Sequence, residues 1–160
     1  MKIELKSIRN GRYRACYKST FTNIKIDNSD IVEALKGEDT EDRTLQGDLD
    51  SLVNEWEQAP DLATSIELQK KHHVNRIATI IKKGLISEPI LIYKDIDPQH
   101  DYLDGGHRVI AAKYLGESHI EAIIIDRGKL SEQEQDLLWE EIKKTGDVKV
   151  ALGNLKIPFV

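Results

Sequence analysis

The sequence has little cysteine, little proline, few aromatic residues and no long apolar run. Its 160 residues include one cysteine, four prolines and 6% aromatic residues. Because Cys16 is the single cysteine, an internal disulfide framework and a thiolate metal cluster are excluded. No stretch is apolar over the length of a membrane span, and the first residues lack the charged-then-apolar order of a signal peptide. We therefore expect a cytoplasmic protein that has no membrane partner.

Charge is distributed unevenly along the chain. The formal net charge of −5 argues against a general affinity for nucleic acids. Residues 1–25 carry seven Lys or Arg and one Glu, for a net charge of +6, whereas residues 26–61 carry twelve acidic and two basic residues, for −10. The two segments either complement each other within the fold or form two partner surfaces, and the acidic region 27–61 is the candidate surface for a protein partner.

The most informative stretch is residues 101–116, where a short apolar pair leads into a glycine turn and a helix. Gly105 and Gly106 lack a Cβ, so they tolerate positive φ and let another group approach the backbone closely. The apolar residues that follow recur at helical spacing until Gly116. A helix N-terminus carries partial positive charge, and Arg108 in its first turn adds a forked donor suited to phosphate. The stretch predicts an anion-binding turn; the alternative is an ordinary tight turn in which Arg108 is solvated.

The Asp-Gly-Gly-His-Arg turn at residues 104–108 belongs to a longer pattern. A Glu-Pro-Ile-Leu-Ile run precedes it at 88–92, and an apolar β-branched run follows it at 120–125. In order and spacing, residues 65–126 resemble the ParB/sulfiredoxin superfamily. The resemblance implies an α+β fold, a ParB/sulfiredoxin-like domain in which a small mixed sheet is flanked by helices. The turn is nearest to the Asp-Gly-His-His-Arg type of the free serine kinase branch, and it lacks the cysteine of the sulfiredoxin turn.

The resemblance implies a nucleotide site at this turn. Members of the superfamily bind nucleotides such as CTP or ATP, and the matching residues that would hold the phosphates here are Gly105, Gly106, His107 and Arg108. In the kinase branch, Mg²⁺ neutralises the phosphates while a carboxylate accepts the proton of the acceptor hydroxyl. Asp104 is the candidate base or metal ligand, and His107 adds a titratable group to the same turn.

The helix predicted over residues 65–83 carries further candidates. His72 and Arg76 share a face at i, i+4 spacing, whereas the adjacent His72 and His73 point about 100° apart and are poorly placed to ligate one metal ion. In the kinase branch the matching helix carries His and Arg that face the phosphates. The resemblance therefore makes His72 or His73, with Arg76, further phosphate-binding candidates, and it makes Glu67 a second candidate base. The alternative is a structural or surface role for at least one histidine.

Alternation and turn signals predict the other elements. Residues 1–17 predict a β-hairpin that turns at Asn10-Gly11, with its basic side chains either solvated or in contact with a nucleic acid. The mildly apolar tail 148–160 is interpreted as an edge strand. Capping residues, apolar spacing and β-branched runs predict three more helices and two strands, over residues 31–35, 48–58, 131–144, 90–93 and 120–125.

Three segments make up the predicted organisation. A hairpin and an acidic helical extension occupy residues 1–61, and the ParB/sulfiredoxin-like core occupies residues 62–127. A C-terminal helix and tail occupy residues 128–160. The length of the chain is enough for one proper core, so we expect one compact domain with extensions.

Three functions fit these patterns. The first is binding of ATP, ADP or CTP at the glycine turn, followed by Mg²⁺-dependent phosphotransfer or nucleotide hydrolysis. The second is a non-catalytic module that binds a nucleotide or a protein, with residues 27–61 as its interface. The third is a DNA-binding or nuclease-like ParB relative that contacts DNA through residues 1–25, although the net negative charge does not favour DNA.

Overall fold

A computed structural model describes residues 1–9, 13–37, 49–94 and 105–159. The chain forms two compact units: unit 1 comprises Met1–Asn10 and Leu85–Val160, and unit 2 comprises Gly11–Gly84. The described residues form both helices and strands, which confirms the predicted α+β class. The strands are β1 (Lys2–Glu4), β2 (Tyr13–Tyr17), β3 (Thr20–Ile24), β4 (Ile90–Tyr93) and β5 (His119–Ile125). The helices are α1 (Asn28–Lys36), α2 (Leu49–Glu57), α3 (Leu62–Lys83), α4 (Gly106–Tyr114), α5 (Glu132–Thr145) and α6 (Val148–Asn154).

Unit 1 contains a three-stranded sheet in the order β1-β5-β4. β4 pairs with β5 in parallel and β1 pairs with β5 antiparallel, so the sheet is mixed. One face packs on α4 through Val109 and Ala112, while the other face packs on α5 and α6. Because β5 is central and covered on both faces, its second half, residues 122–125, is a continuous apolar run without alternation. The strands predicted over residues 90–93 and 120–125 are confirmed.

The hairpin predicted over residues 1–17 is wrong. β1 pairs with β5, and Ile3 lies opposite Ile120. The hairpin of this region is formed instead by β2 and β3 in unit 2. It turns at Lys18 and Ser19, whose φ values of 46° and 66° are those that a two-residue hairpin loop requires. The Asn10-Gly11 signal lies outside the described residues.

The helix predicted over residues 65–83 begins earlier, because its cap is Asp61. The Asp61 carboxylate accepts the N–H of Thr64 at 2.7 Å, and α3 starts at Leu62. Ser65, the first residue of the predicted helix, is buried inside α3 and donates its hydroxyl to the carbonyl of Trp56 at 2.7 Å. The helix ends as predicted at Gly84, which has a φ of 66°.

The tail is helical, so its interpretation as an edge strand is wrong. α6 begins after Asp147, whose carboxylate accepts the N–H of Val150 at 3.1 Å. Val148, Ala151 and Leu152 are buried in the same core as α5. Their i, i+3, i+4 spacing is helical, and it outweighs the β-branched character of the segment. The helix predicted over residues 131–144 is confirmed as α5, with its capping box at Ser131.

In unit 2 the side chain of Gln69 on α3 binds the outer edge of β2. Gln69 accepts the backbone N–H of Cys16 at 3.1 Å and donates to the Cys16 carbonyl at 2.9 Å. Gln69 is 3% exposed, so these bonds form away from water. One amide therefore satisfies two strand-edge groups that would otherwise be buried beside a helix.

Replacing Gln69 by leucine should lower the free energy of unfolding by about 2 kcal/mol, because it leaves the Cys16 N–H and carbonyl without these partners. Urea unfolding followed by circular dichroism measures the change. Gln58→Leu is the matched control, since Gln58 is exposed and bonds only to Asn54 among the described residues. A Gln69→Leu variant as stable as the control would contradict the role given to this amide.

Candidate functional site

The predicted glycine turn opens α4 with a left-handed residue packed against the sheet. Gly105 has a φ of 108° and a ψ of 18°, and it is buried. A Cβ at this position would lie 2.4 Å from Cγ2 of Ile90, the first residue of β4. The backbone therefore approaches the strand more closely than any side chain allows. This confirms the prediction that a glycine is needed here for positive φ and close approach.

The turn brings three backbone N–H groups to the amino end of α4. The first intrahelical bond runs from the N–H of Val109 to the carbonyl of Gly105 at 3.0 Å. The N–H groups of Gly106, His107 and Arg108 precede that bond, so no carbonyl within the helix accepts them. With the partial positive charge of the helix terminus, they form the kind of arrangement that binds a phosphate or carboxylate oxygen.

Arg108 is buried at the same end of the helix. Its side chain is 8% exposed, and its Nη1 donates to the carbonyl of Pro89, just before β4. The alternative in which Arg108 is solvated is therefore wrong. A guanidinium has five N–H donors, so a bond to one carbonyl fixes its orientation and is compatible with a second acceptor. The turn thus combines a buried cation with the helix terminus.

The two acid–base candidates of the turn are His107 and Asp104. His107 is half-buried in the first turn of α4, next to Arg108. Asp104, the candidate base and metal ligand, lies outside the described residues. Within the described ranges, no group of three or more His, Cys, Asp or Glu side chains is placed to hold a metal ion.

The candidates on α3 belong to unit 2, whereas the glycine turn belongs to unit 1. Glu67 is exposed, and Arg76 is half-buried on the same helix. His72 and His73 lie side by side, with ring centroids 5.3 Å apart. The two histidine rings are therefore in contact with each other on α3.

An aromatic cluster that sequence reasoning missed surrounds these histidines. The ring of Tyr13 stacks on His73 at 4.2 Å between centroids with an interplanar angle of 20°, and Trp56 lies 5.5 Å from His72. We call these four residues the aromatic cluster. Burial, together with the charge of His72, lowers the pKa of His73 to about 4, so His73 is uncharged at neutral pH.

One signal in the sequence points to the aromatic cluster. Along β2, Tyr13, Ala15 and Tyr17 alternate with more exposed residues, so all three lie on the face towards α3. Tyr17 donates its hydroxyl to the carbonyl of Ala59 at 2.7 Å on this face. The alternation predicts inward-facing tyrosines, but the identity of their helix partner depends on how β2 pairs.

In the described ranges, none of the helices combines the length and the apolar character needed to traverse a bilayer. No family model, no curated protein and no solved structure matches the chain. The residues of the chain itself are the basis for a functional proposal.

Proposed function

We propose that the chain binds the phosphates of a nucleotide at the amino end of α4, as a member of the ParB/sulfiredoxin superfamily that residues 65–126 resemble. The observation that carries the proposal is the backbone at Gly105, which has a φ of 108° and lies too close to Ile90 for any side chain. In phosphate-binding glycine turns, a backbone of this kind aims the N–H groups of the following residues at the ligand, and the N–H groups after Gly105 would do the same here.

Arg108 supports an anionic ligand at this site. Its guanidinium is held beside the helix terminus by the bond to the Pro89 carbonyl, so two sources of positive potential converge there. A guanidinium in a partly dehydrated site attracts an anionic ligand more strongly than an exposed guanidinium does. Phosphate fits both the forked guanidinium donors and the backbone N–H groups of Gly106 and His107.

The activity that we propose is Mg²⁺-dependent phosphotransfer or nucleotide hydrolysis, with ATP, ADP or CTP as the nucleotide. In this scheme Asp104 is the base or metal ligand, and His107 is the acid–base group of the turn. Glu67 is the second candidate base. Mg²⁺ would neutralise phosphate charge, and the residues of the turn would orient the phosphates.

The proposal also includes residues on α3, a protein partner and a cellular location. His72 or His73, together with Arg76, would contribute to nucleotide binding from α3. The acidic region 27–61 would bind a protein partner, and the protein would act in the cytoplasm. A neutral His73 can donate or accept a hydrogen bond, but it adds no positive charge near neutral pH.

Calorimetric titration of ATP, ADP, CTP and GTP with Mg²⁺ into the full chain tests the proposed site. We expect saturable binding of at least one nucleotide. Arg108→Lys should weaken it by about 10-fold or more, because a lysine loses the forked geometry of a charge-assisted pair. His107→Gln should also weaken binding, whereas His119→Gln, an exposed histidine on β5, should leave it unchanged.

The controls separate binding from folding. Because Arg108 also bonds to Pro89, urea unfolding of each variant is measured at the concentration used for calorimetry. A folded Arg108→Lys variant with unchanged affinity would move the site away from the turn. Absence of binding for every nucleotide would overturn the proposal.

Turnover distinguishes an enzyme from a binding module. Release of phosphate or transfer to an acceptor hydroxyl, lost in Asp104→Asn, would support the catalytic scheme. Retained activity in Asp104→Asn with loss in Glu67→Gln would assign the base to Glu67. Binding without turnover under any condition would favour the non-catalytic module.

A further inference from the structure

A pocket lies at the carboxyl end of the parallel pair β4–β5, in unit 1. Its volume is about 390 Å³, within the range of small-molecule sites. Lys94 follows β4 and donates its backbone N–H to the carbonyl of Ile125 at 2.7 Å, so the strand pairing continues to the rim of the pocket. Open sheets with parallel strands commonly bind ligands in the crevice beyond these ends.

This pocket is separate from the glycine turn. The turn packs on Ile90, the first residue of β4, whereas the pocket begins at Lys94, just after the last residue of the same strand. The two sites therefore lie at opposite ends of β4. A ligand in the pocket would leave the amino end of α4 accessible.

The walls of the pocket are mostly apolar. Ile124 and Ile125 contribute from the end of β5, and Pro158 and Phe159 contribute from the segment after α6. Ile124 is only half-buried and Phe159 is 43% exposed, so apolar surface is presented to the pocket. Such walls favour a ligand with an apolar body.

Positive charge predominates among the polar groups that line the pocket. Lys94 and Lys129 are exposed, and neither has an ion-pair partner among the residues that the structure describes. Asp126 supplies one carboxylate, which accepts the N–H of Gly128 at 3.0 Å. The amino group of Met1 is paired with Glu121 at 3.2 Å. Two lysine ammonium groups and one carboxylate thus line the pocket, and this excess of positive charge favours an anionic ligand.

We propose that this pocket binds a small apolar monocarboxylate, with its chain against Ile124 and Phe159 and its carboxylate between Lys94 and Lys129. The apolar walls account for the chain, and the two lysines account for the charge. A carboxylate of about eight carbons suits a site near the small end of the usual range. This inference does not depend on the proposed nucleotide site.

Octanoate is the probe, with 1-octanol and octylammonium as uncharged and cationic analogues of the same length. Titration into the full chain, labelled at isoleucine methyl groups, should shift Ile124 and Ile125 saturably and leave Ile31 and Ile77 of unit 2 unchanged. Octanoate should bind about 10-fold more tightly than 1-octanol, the effect of one charge-assisted contact.

Substitution of the lysines tests the charge. The double variant Lys94→Gln/Lys129→Gln should lose about 10-fold in octanoate affinity and keep its affinity for 1-octanol. Lys149→Gln, at an exposed lysine on α6, is the matched control and should bind like the original chain. Replacing exposed lysines leaves the fold intact, so weaker binding reports on the pocket.

Three results would overturn the inference. Equal affinity for octanoate and 1-octanol would show that the lysines do not select an anion. Tighter binding of octylammonium would show that the Asp126 carboxylate, and not the lysines, selects the charge of the ligand. No saturable shift at Ile124 or Ile125 with octanoate would exclude the pocket as its site.

Discussion

Replacing Gly105 by alanine should lower the free energy of unfolding by about 3 to 5 kcal/mol, since backbone strain and overpacking each cost about 1 to 3 kcal/mol. The alanine Cβ would lie 2.4 Å from Cγ2 and 2.8 Å from Cβ of Ile90. A φ of 108° is also a conformation that residues with a side chain rarely adopt. The start of α4 would have to move away from β4. Urea unfolding followed by tryptophan fluorescence and circular dichroism measures the loss.

Gly116→Ala is the matched control for backbone strain. Gly116 also has positive φ, at 75°, but a Cβ there would meet no atom within 4 Å. Its replacement should therefore cost about 1 to 2 kcal/mol, the price of a left-handed alanine alone. Equal losses for the two variants would contradict the claim that contact with Ile90 sets the requirement at Gly105.

A double-mutant cycle isolates the contact itself. Ile90→Ala removes the Cγ2 atom that the new Cβ would strike, although it also leaves a cavity in the core. If the clash is the cause, Gly105→Ala should cost less in the Ile90→Ala background than in the original chain. Additive losses would exclude Cγ2 of Ile90 as the source of the cost, and would leave the backbone conformation and the Cβ of Ile90, 2.8 Å away, as its causes. The same variants, titrated with nucleotide, report whether the geometry of this turn governs binding.

The glycine turn illustrates how far sequence reasoning reaches. The two adjacent glycines and the helical spacing after them are local properties, so they predicted the turn and α4. The contact between Gly105 and Ile90 joins residues that are separated in the chain, and no local pattern contains it. The burial of Arg108 and its bond to Pro89 have the same origin, because both depend on how α4 packs on the sheet.

Strand pairing shows more clearly what local sequence signals do not predict. Asn10-Gly11 is a strong hairpin signal, whereas Lys18-Ser19 is a weak one because neither residue favours positive φ. The hairpin nevertheless turns at Lys18-Ser19, and β1 pairs with β5, more than a hundred residues away. The free energy gained by burying correctly paired strands exceeds the free energy that a favourable turn sequence contributes. Tertiary packing therefore determined that β1 pairs with β5 and that β2 pairs with β3.

The aromatic cluster predicts a loss of stability in mild acid. Burial lowers the pKa of His73 from 6.5 to about 4, whereas in the unfolded chain the side chain has its ordinary pKa. Between these values the unfolded state binds more protons, so the free energy of unfolding falls as the pH falls. The contribution of His73 is complete above pH 6.5, and roughly 3 kcal/mol is lost by pH 4, at about 1.4 kcal/mol per pKa unit. Urea unfolding at pH 7, 6, 5 and 4 measures the slope.

Two variants assign this slope to His73. His73→Phe keeps a ring against Tyr13 and removes the titration, so its stability should change much less between pH 6.5 and 5. His119→Gln removes an exposed histidine in unit 1 and should retain the slope of the original chain. Asp30 also has a lowered pKa, because it accepts the N–H of Asp27, but it takes up protons below the range in which His73 acts. A steep slope between pH 6.5 and 5 that persists in His73→Phe would therefore contradict the burial of a neutral His73 in the aromatic cluster.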